Sequence, residues 1–396
     1  MQSFFNSVRL VWGEDALGEL AGLAKSIGMS KALIVTDKTI GGTACAERIR
    51  DVLKSGGITF RVFDECGIDA RASHIQSEKA KLASDGIDGI IGLGGGSVMC
   101  TAKGIATLAT NGDEIRPLEK QQNIKKRPMP LLLIPTTAGS GTEVSPFTIV
   151  KDDINGGKFT FGNQLCFAHL AVLDPATLES LPQKIAAVSA VDALTHSLEA
   201  LFSKIATPLT DALALEAARM LFGSMAASIV KGEPKARLDN LVGSSIANMA
   251  CGQARLGLAH RLSRPLEENF TVAHGLGVGT LMPRTINACA GQFPEKLVRL
   301  AETIGVGRRG DNAGDLRARL VEKIFALYEE VGFPSHFDAV KIDRSRLRQM
   351  AETAVSRTTD ATGKPEIITS NTQIVAANFT SATVAEAHGL YDSCFA

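Results

Sequence analysis

The chain has 396 residues, 45% of them hydrophobic and 21% charged. That is a length for two domains and the composition of a folded globular protein, not a disordered one. Its 42 basic and 42 acidic side chains cancel, so no net field draws it to nucleic acid or to an anionic membrane surface. The seven cysteines are scattered and form no CxxC pair, which argues against a disulfide framework or zinc ribbon and fits a reducing compartment. No signal-peptide pattern stands at the N-terminus, and no run reaches the roughly 20 apolar residues of a spanning helix. The expectation is a cytoplasmic enzyme without a membrane or nucleic-acid partner.

In chain order, Leu17, Leu20, Ala21 and Ala24 recur at helical spacing and Gly28 stands where that helix stops. The run Ala32 to Thr36 reads as a strand ending at Asp37; an amphipathic helix follows over 44–53, a strand over 58–63 and a helix over 74–84. Gly89 to Gly94 reads as a strand entering a glycine loop, and Pro130 to Pro135 as another entering Thr136-Thr-Ala-Gly-Ser-Gly-Thr142. Thr148 to Phe161, with Asn155-Gly-Gly157 inside it, reads as a hairpin. From Pro182 onward strand signals fade and helical windows such as 209–225 and 238–250 take over. The fold class is therefore an α/β domain with a parallel sheet flanked by helices, residues 1–185, followed by an all-α domain, 186–396.

Ligands of such sheets bind at the carboxyl ends of the strands, where Asp37 and the loop after Gly94 stand. Gly94, Gly95, Gly96 and Ser97 join a strand to a helix, a place where close backbone approach and the first helical amides favour a phosphate, or where glycines simply turn the chain. Thr136, Thr137, Ser140 and Thr142 offer hydroxyls at the end of the next strand. Asp37 can accept hydrogen bonds from an adenosine ribose and repel a 2′-phosphate, or can cap a helix. In the second half, Asp192 and His196 share a helix face at i, i+4, and His260 and His274 lie 14 residues apart. With only seven histidines in the chain, these four form a mixed N/O set suited to Fe²⁺ or Zn²⁺, although each singly could be an ordinary core or surface residue.

The motifs Gly94-Gly-Gly-Ser97 with Ala102-Lys103, Pro135 to Glu143, Asp174-Pro175, Asp192-Ala-Leu-Thr-His196-Ser-Leu-Glu199 and the His260/His274 pair occur together and in this order. From about residue 5 to residue 300 the chain resembles the iron-dependent (group III) alcohol dehydrogenases of the dehydroquinate-synthase-like superfamily. The resemblance implies an α/β NAD-binding domain, a helical domain, an active site in the cleft between them, and a homodimer. It implies that Asp192, His196, His260 and His274 are metal ligands and that Asp37 favours NAD(H) over NADP(H). Gly95, Gly96 and Ser97 would hold the pyrophosphate, with Thr136, Thr137, Ser140, Lys158 and Leu178 lining the rest of the cofactor site.

Four positions depart from the family pattern. Arg264 stands where a second histidine is usual, four residues after His260; a guanidinium cannot shuttle protons but can clamp a carboxylate, phosphonate or sulfonate, or else merely pair with Glu267 or Glu268. Cys100 replaces an aspartate, Asp69-Ala70-Arg71 replaces an Asn-Pro-Thr turn, and Ala273 precedes the last histidine in place of proline, with Gly277-Val-Gly279 where Ala-Asn-Ala is frequent. The implied activity is interconversion of a small primary alcohol and its aldehyde; the departures at Arg264 and Cys100 suit a substrate that carries an anionic group, and leave a neutral one open. Hydroxyacid dehydrogenase or hydroxyacid–oxoacid transhydrogenase is the alternative within the family. A dehydroquinate-synthase-like lyase and a nucleotide-binding sensor without chemistry are the alternatives outside it.

Overall fold

The computed structural model describes residues 3–270, 272–337, 341–356 and 382–395. The chain divides into two compact units, Phe5–Leu181 and the residues from Pro182 onward.

The first unit is built on a six-stranded parallel sheet in the order β1-β8-β5-β4-β2-β3. The strands are β1 (Arg9–Trp12), β2 (Lys31–Val35), β3 (Thr59–Phe63), β4 (Gly89–Gly94), β5 (Leu131–Pro135) and β8 (Leu170–Leu173); β6 (Thr148–Lys151) and β7 (Lys158–Phe161) pair separately as an antiparallel hairpin. Every residue of β4, β5 and β8 is buried, as a sheet covered on both faces requires. Alternate residues go to opposite faces. Leu33, Val35, Ile90, Leu131 and Leu133 meet Ile75 of α4 (Ala72–Asp85) and Met99, Ala102 and Ile105 of α5 (Gly96–Asn111). On the other face Ala32, Ile34, Ile91, Leu132 and Ile134 meet Leu20 of α1 (Leu20–Ser26) and Ile49 and Leu53 of α3 (Ala44–Ser55). A Cβ on Gly92 would lie 2.7 Å from Leu133 and 2.8 Å from Ala102, so this glycine is what lets α5 lie close on β4.

The strands and helices expected up to the hairpin all occur, with ends moved by one to three residues. Strands β1 and β8 lie outside the expected set. Each has only four residues, and a short apolar run such as Leu170-Ala-Val-Leu173 carries no period that separates strand from helix. The chain leaves β2 for β3 on one side and returns to β4 on the other. The topological switch point therefore lies between the carboxyl ends of β2 and β4.

The second unit is helical: α6 (Gln183–Leu201), α7 (Pro208–Ala226), α8 (Pro234–Ala254), α9 (Leu258–Phe270), α10 (His274–Cys289), α11 (Pro294–Thr303), α12 (Ala313–Val331), α13 (Leu347–Ser356) and a last described helix, Val384–Asp392. Their apolar faces close one core around Leu194, Leu198, Leu221, Leu262, Leu281 and Tyr328. One sequence expectation needs correction here. Helix α7 continues through a π-helical turn to Lys231, and Pro208–Lys231 is long and apolar enough by composition to cross a membrane. In this fold Ala214, Ala217, Ala218, Leu221 and Met225 of that helix are core residues, and its buried Asp211 pairs with Lys296 at 2.9 Å.

One buried charge ties the sheet unit together. Lys103 on α5 is fully buried, and its Nζ donates to the carbonyls of Thr142, Ser145 and Phe147 at 3.2, 2.6 and 2.6 Å. Burial lowers its pKa to about 8. The ammonium thus holds the segment that leads from the β5 turn into the hairpin. Lys103→Met leaves three carbonyls without this donor and should lower unfolding stability by about 1–3 kcal/mol, read as a fall in the urea midpoint at constant m-value. A midpoint equal to that of the wild type would show that the clamp adds nothing.

Candidate metal centre and cofactor site

Helix α6 places Asp192, His196 and Glu199 at i, i+4 and i+7, a single stripe, and all three are buried. The stripe faces the starts of two other helices. His260 is the third residue of α9, and His274 is the first of α10. Glu199 organises the first of these starts. Its carboxylate accepts the backbone N–H groups of Gly257 at 2.6 Å and Ala259 at 2.7 Å, donors that α9 cannot satisfy itself. The entering turn is tight: Arg255 takes a left-handed φ of 71°, its N–H bonds to Cys251, and Ser203 Oγ bonds to the Ala254 carbonyl at 2.7 Å.

The three histidines converge on one oxygen. Asp192 Oδ1 lies 3.8 Å from His196 Nδ1, 3.6 Å from His260 Nε2 and 3.7 Å from His274 Nε2. Asp192, His260 and His274 each offer a donor atom within 4.8 Å of the other two, with His196 beside them on Asp192. Among the described residues, Asp192 Oδ1, His196 Nδ1 and His260 Nε2 are buried without a hydrogen-bond partner. Buried polar atoms left this way are costly unless something completes them. A first-row ion about 2.1 Å from each donor requires tetrahedral neighbours roughly 3.4 Å apart, close to these separations. The three-nitrogen, one-carboxylate set suits Fe²⁺ or Zn²⁺, so the residues fit a divalent metal.

The electrostatics agree. Burial alone would lower His260, but the Glu199 and Asp192 carboxylates outweigh it and raise its pKa to about 10. His274 is likewise raised, Glu267 outweighing burial. His196, where burial dominates over Asp192, falls to about 4. Asp192, despite burial, is held well below the usual carboxylate range by His196 and the other two histidines. The carboxylates of Asp192, Glu199 and Glu267 thus favour positive charge at His260 and His274, as they would a cation beside them, whereas burial disfavours it at His196.

Two carboxylates stand behind the donors, Glu199, which the sequence shows only as the end of a motif, and Glu267, which it offers only as a partner for Arg264. Glu199 Oε2 meets His260 Nδ1 at 2.7 Å, and Glu267 Oε1 meets His274 Nδ1 at 2.8 Å. Each hydrogen bond leaves Nε2 facing inward. The spacing of Glu199 on the α6 stripe was the available signal; Glu267 carried none. Arg264 pairs with Glu268, Nε to Oε1 at 3.5 Å, and not with Glu267.

The α/β unit gathers the cofactor candidates along one sheet edge. Asp37 follows β2, Gly94, Gly95, Gly96 and Ser97 follow β4, Thr136 to Thr142 follow β5, and Leu178 lies in the short helix after β8; these four strands are neighbours. A Cβ on Gly96 would lie 3.0 Å from Ser140 Oγ, so the β4 and β5 turns touch. Ser140 and Thr142 share a hydrogen bond, and Ser97 Oγ bonds to the Ile68 carbonyl. Asp37 Oδ1 caps helix α2 (Lys38–Gly41) through the Ile40 N–H at 2.9 Å. Lys158 opens β7 and pairs with Asp69 at 2.7 Å. Cys100 is buried on α5.

The family description "Iron-containing alcohol dehydrogenase" matches residues 7–175, and that of the Fe-containing alcohol dehydrogenase C-terminal domain matches 186–382. The chain belongs to the iron-containing alcohol dehydrogenases. It is 29% identical to lactaldehyde reductase of Escherichia coli (strain K12) over 87% of this chain and 90% of that one. It is 30% identical to sulfoacetaldehyde reductase of Bilophila wadsworthia over 77% and 78% respectively. The solved structure of a 1,3-propanediol oxidoreductase superposes on all of both chains with a TM-score of 0.89 at 24% identity, a likeness of fold. The protein is thus a metal-dependent oxidoreductase of the alcohol and aldehyde class, as the motifs imply.

Glu199→Gln keeps the size of the side chain but turns one acceptor into a donor, facing N–H groups that need acceptors. Metal affinity should fall about 10–100-fold, measured as metal retained after dialysis against a graded chelator series. Retention equal to that of the wild type would show that Glu199 only caps α9.

Proposed function

We propose that this enzyme interconverts a small aldehyde bearing an anionic group and its primary alcohol, using NAD(H) and a divalent iron held by Asp192, His196, His260 and His274. The observation that carries the reading is the convergence of buried donor atoms without partners on Asp192 Oδ1. When bound, the iron supplies Lewis acidity to the substrate oxygen and the nicotinamide supplies or accepts the hydride. Zinc satisfies the same donor set. All seven cysteines are free, which supports a reducing, cytoplasmic setting.

The remaining work belongs to side chains and backbone. Gly95, Gly96 and the first turn of α5 bind the pyrophosphate through amides and the helix dipole. Asp37, with Oδ1 engaged at Ile40, offers its other oxygen to the ribose hydroxyls and repels a 2′-phosphate. Thr136, Thr137, Ser140, Thr142, Lys158 and Leu178 line the same edge. Arg264 lies one turn beyond His260 on α9 with its side chain 37% exposed. A pair as exposed as Arg264–Glu268 is worth about 0–1 kcal/mol, so the guanidinium can exchange that partner for a carboxylate, phosphonate or sulfonate. The existence of a sulfoacetaldehyde reductase among the relatives supports that choice of substrate. With a guanidinium and not an imidazole at residue 264, the proton of the reaction would pass to water or to the cofactor ribose.

His260→Ala and His274→Ala should each remove bound metal and activity while NADH binding, followed by its fluorescence, persists; full activity after chelation would overturn the metal assignment. With two aldehydes of equal length, one neutral and one ending in a sulfonate or phosphonate, Arg264→Ala should lower kcat/KM for the anionic one by about 10–100-fold, the worth of a charge-assisted hydrogen bond. Equal losses on both would return Arg264 to a structural role.

A further inference from the structure

The four metal-facing residues are not held alike. Asp192, His196 and His260 have side chains no more than 9% exposed, whereas that of His274 is 51% exposed. His260 is backed by Glu199, which is anchored in turn by backbone amides. His274 opens α10 after Ala273, a residue whose side chain provides no cap. Its Nδ1 is held from across the helix pair, where the Glu267 carboxylate on α9 accepts the hydrogen bond.

Glu267 is aimed by a further contact. One turn earlier on α9, Ser263 is fully buried and its Oγ donates to the same Oε1 at 2.5 Å. That hydroxyl occupies space that residue 277 leaves open. A Cβ on Gly277 would lie 2.5 Å from Ser263 Oγ and 3.4 Å from Ser263 Cβ. Gly277 lies within α10 without a positive φ, so the backbone does not demand glycine, and in a helix interior glycine costs about 1 kcal/mol relative to alanine. What the glycine provides is room for the serine hydroxyl. With alanine there, Ser263 relieves the overlap most simply by turning its Oγ away from Glu267.

We propose that Ser263, Glu267 and Gly277 form a positioning arm for His274 that sets how tightly the centre holds its ion. This rests on the metal reading above. It also gives the departure at Gly277 a physical purpose: small residue, placed hydroxyl, aimed carboxylate, oriented imidazole.

The test is a Co²⁺ titration of the metal-stripped full-length chain, following the visible d–d band and fixing Kd by competition with a chelator. Variants are Ser263→Ala, Glu267→Gln, Gly277→Ala and the double Ser263→Ala/Gly277→Ala. Gly223→Ala is the control, since a Cβ on that helical glycine of α7 meets nothing within 4 Å. Each single variant should raise the Co²⁺ Kd by about 10–100-fold and alter the d–d band, at a melting temperature within a few degrees of wild type. The double variant should be no weaker than Ser263→Ala alone, since both remove one interaction. Gly223→Ala should bind Co²⁺ as the wild type does. Kd values within twofold of wild type for Ser263→Ala and Gly277→Ala, or losses that add in the double, would overturn the arm. Should Gly277→Ala fail to fold, Ser263→Ala and Glu267→Gln decide alone. A wild-type chain that takes up no Co²⁺ would overturn the metal centre itself and the arm with it.

Discussion

The helical unit is organised around a buried carboxylate, Glu199. Burying a carboxylate is costly unless donors surround it, and here they come from the start of α9 and from the His260 ring. The condition is mutual. Helix α9 needs an acceptor for its first amides, His260 needs a partner for Nδ1, and Glu199 needs both. Because Asp192 and His196 lie on the same α6 stripe, satisfying Glu199 also brings two further donors opposite His260. The left-handed backbone at Arg255 is part of what delivers α9 to this point.

In the α/β unit the governing constraint is the covered parallel sheet. Strands β4, β5 and β8 are buried along their whole length, so polar side chains accumulate where the strands end. The sequence places Asp37, Gly94–Ser97 and Thr136–Thr142 at such ends, and the strand order sets the three ends side by side. Lys103 is a fully buried charge in this unit, and three carbonyls account for it. Asp37, after the end of β2, caps α2 through one carboxylate oxygen.

The positions that depart from the family pattern fall into different physical classes. Arg264 holds an exposed, weak ion pair with Glu268, the arrangement of a charge that can change partners. Gly277 makes a gap filled by a buried hydroxyl, a packing feature with an effect on a histidine two contacts away. Asp69, in the altered turn before α4, pairs with Lys158 and more distantly with Lys151. In the long apolar helix Pro208–Lys231, Ala214, Ala217, Ala218, Leu221 and Met225 serve the core while Leu209 and Val230 are exposed, and its buried Asp211 has Lys296.

Local sequence determined the alternation of strands and helices as far as the hairpin, because apolar period and glycine punctuation are short-range properties. It also determined the pairing of Asp192 with His196, since i, i+4 spacing on a helix is itself a geometric statement. The order and spacing of the motifs named the family. Tertiary structure alone decided the rest. Strands β1 and β8 exist because partners lie beside them, not because four residues favour extension. His260 and His274 meet Asp192 because two helix starts, separated in the chain, are brought to one stripe. Glu267 belongs to His274 and Glu268 to Arg264, adjacent residues whose roles diverge because consecutive side chains on a helix point about 100° apart. No local pattern distinguishes them; the identity of the neighbour across the helix pair does.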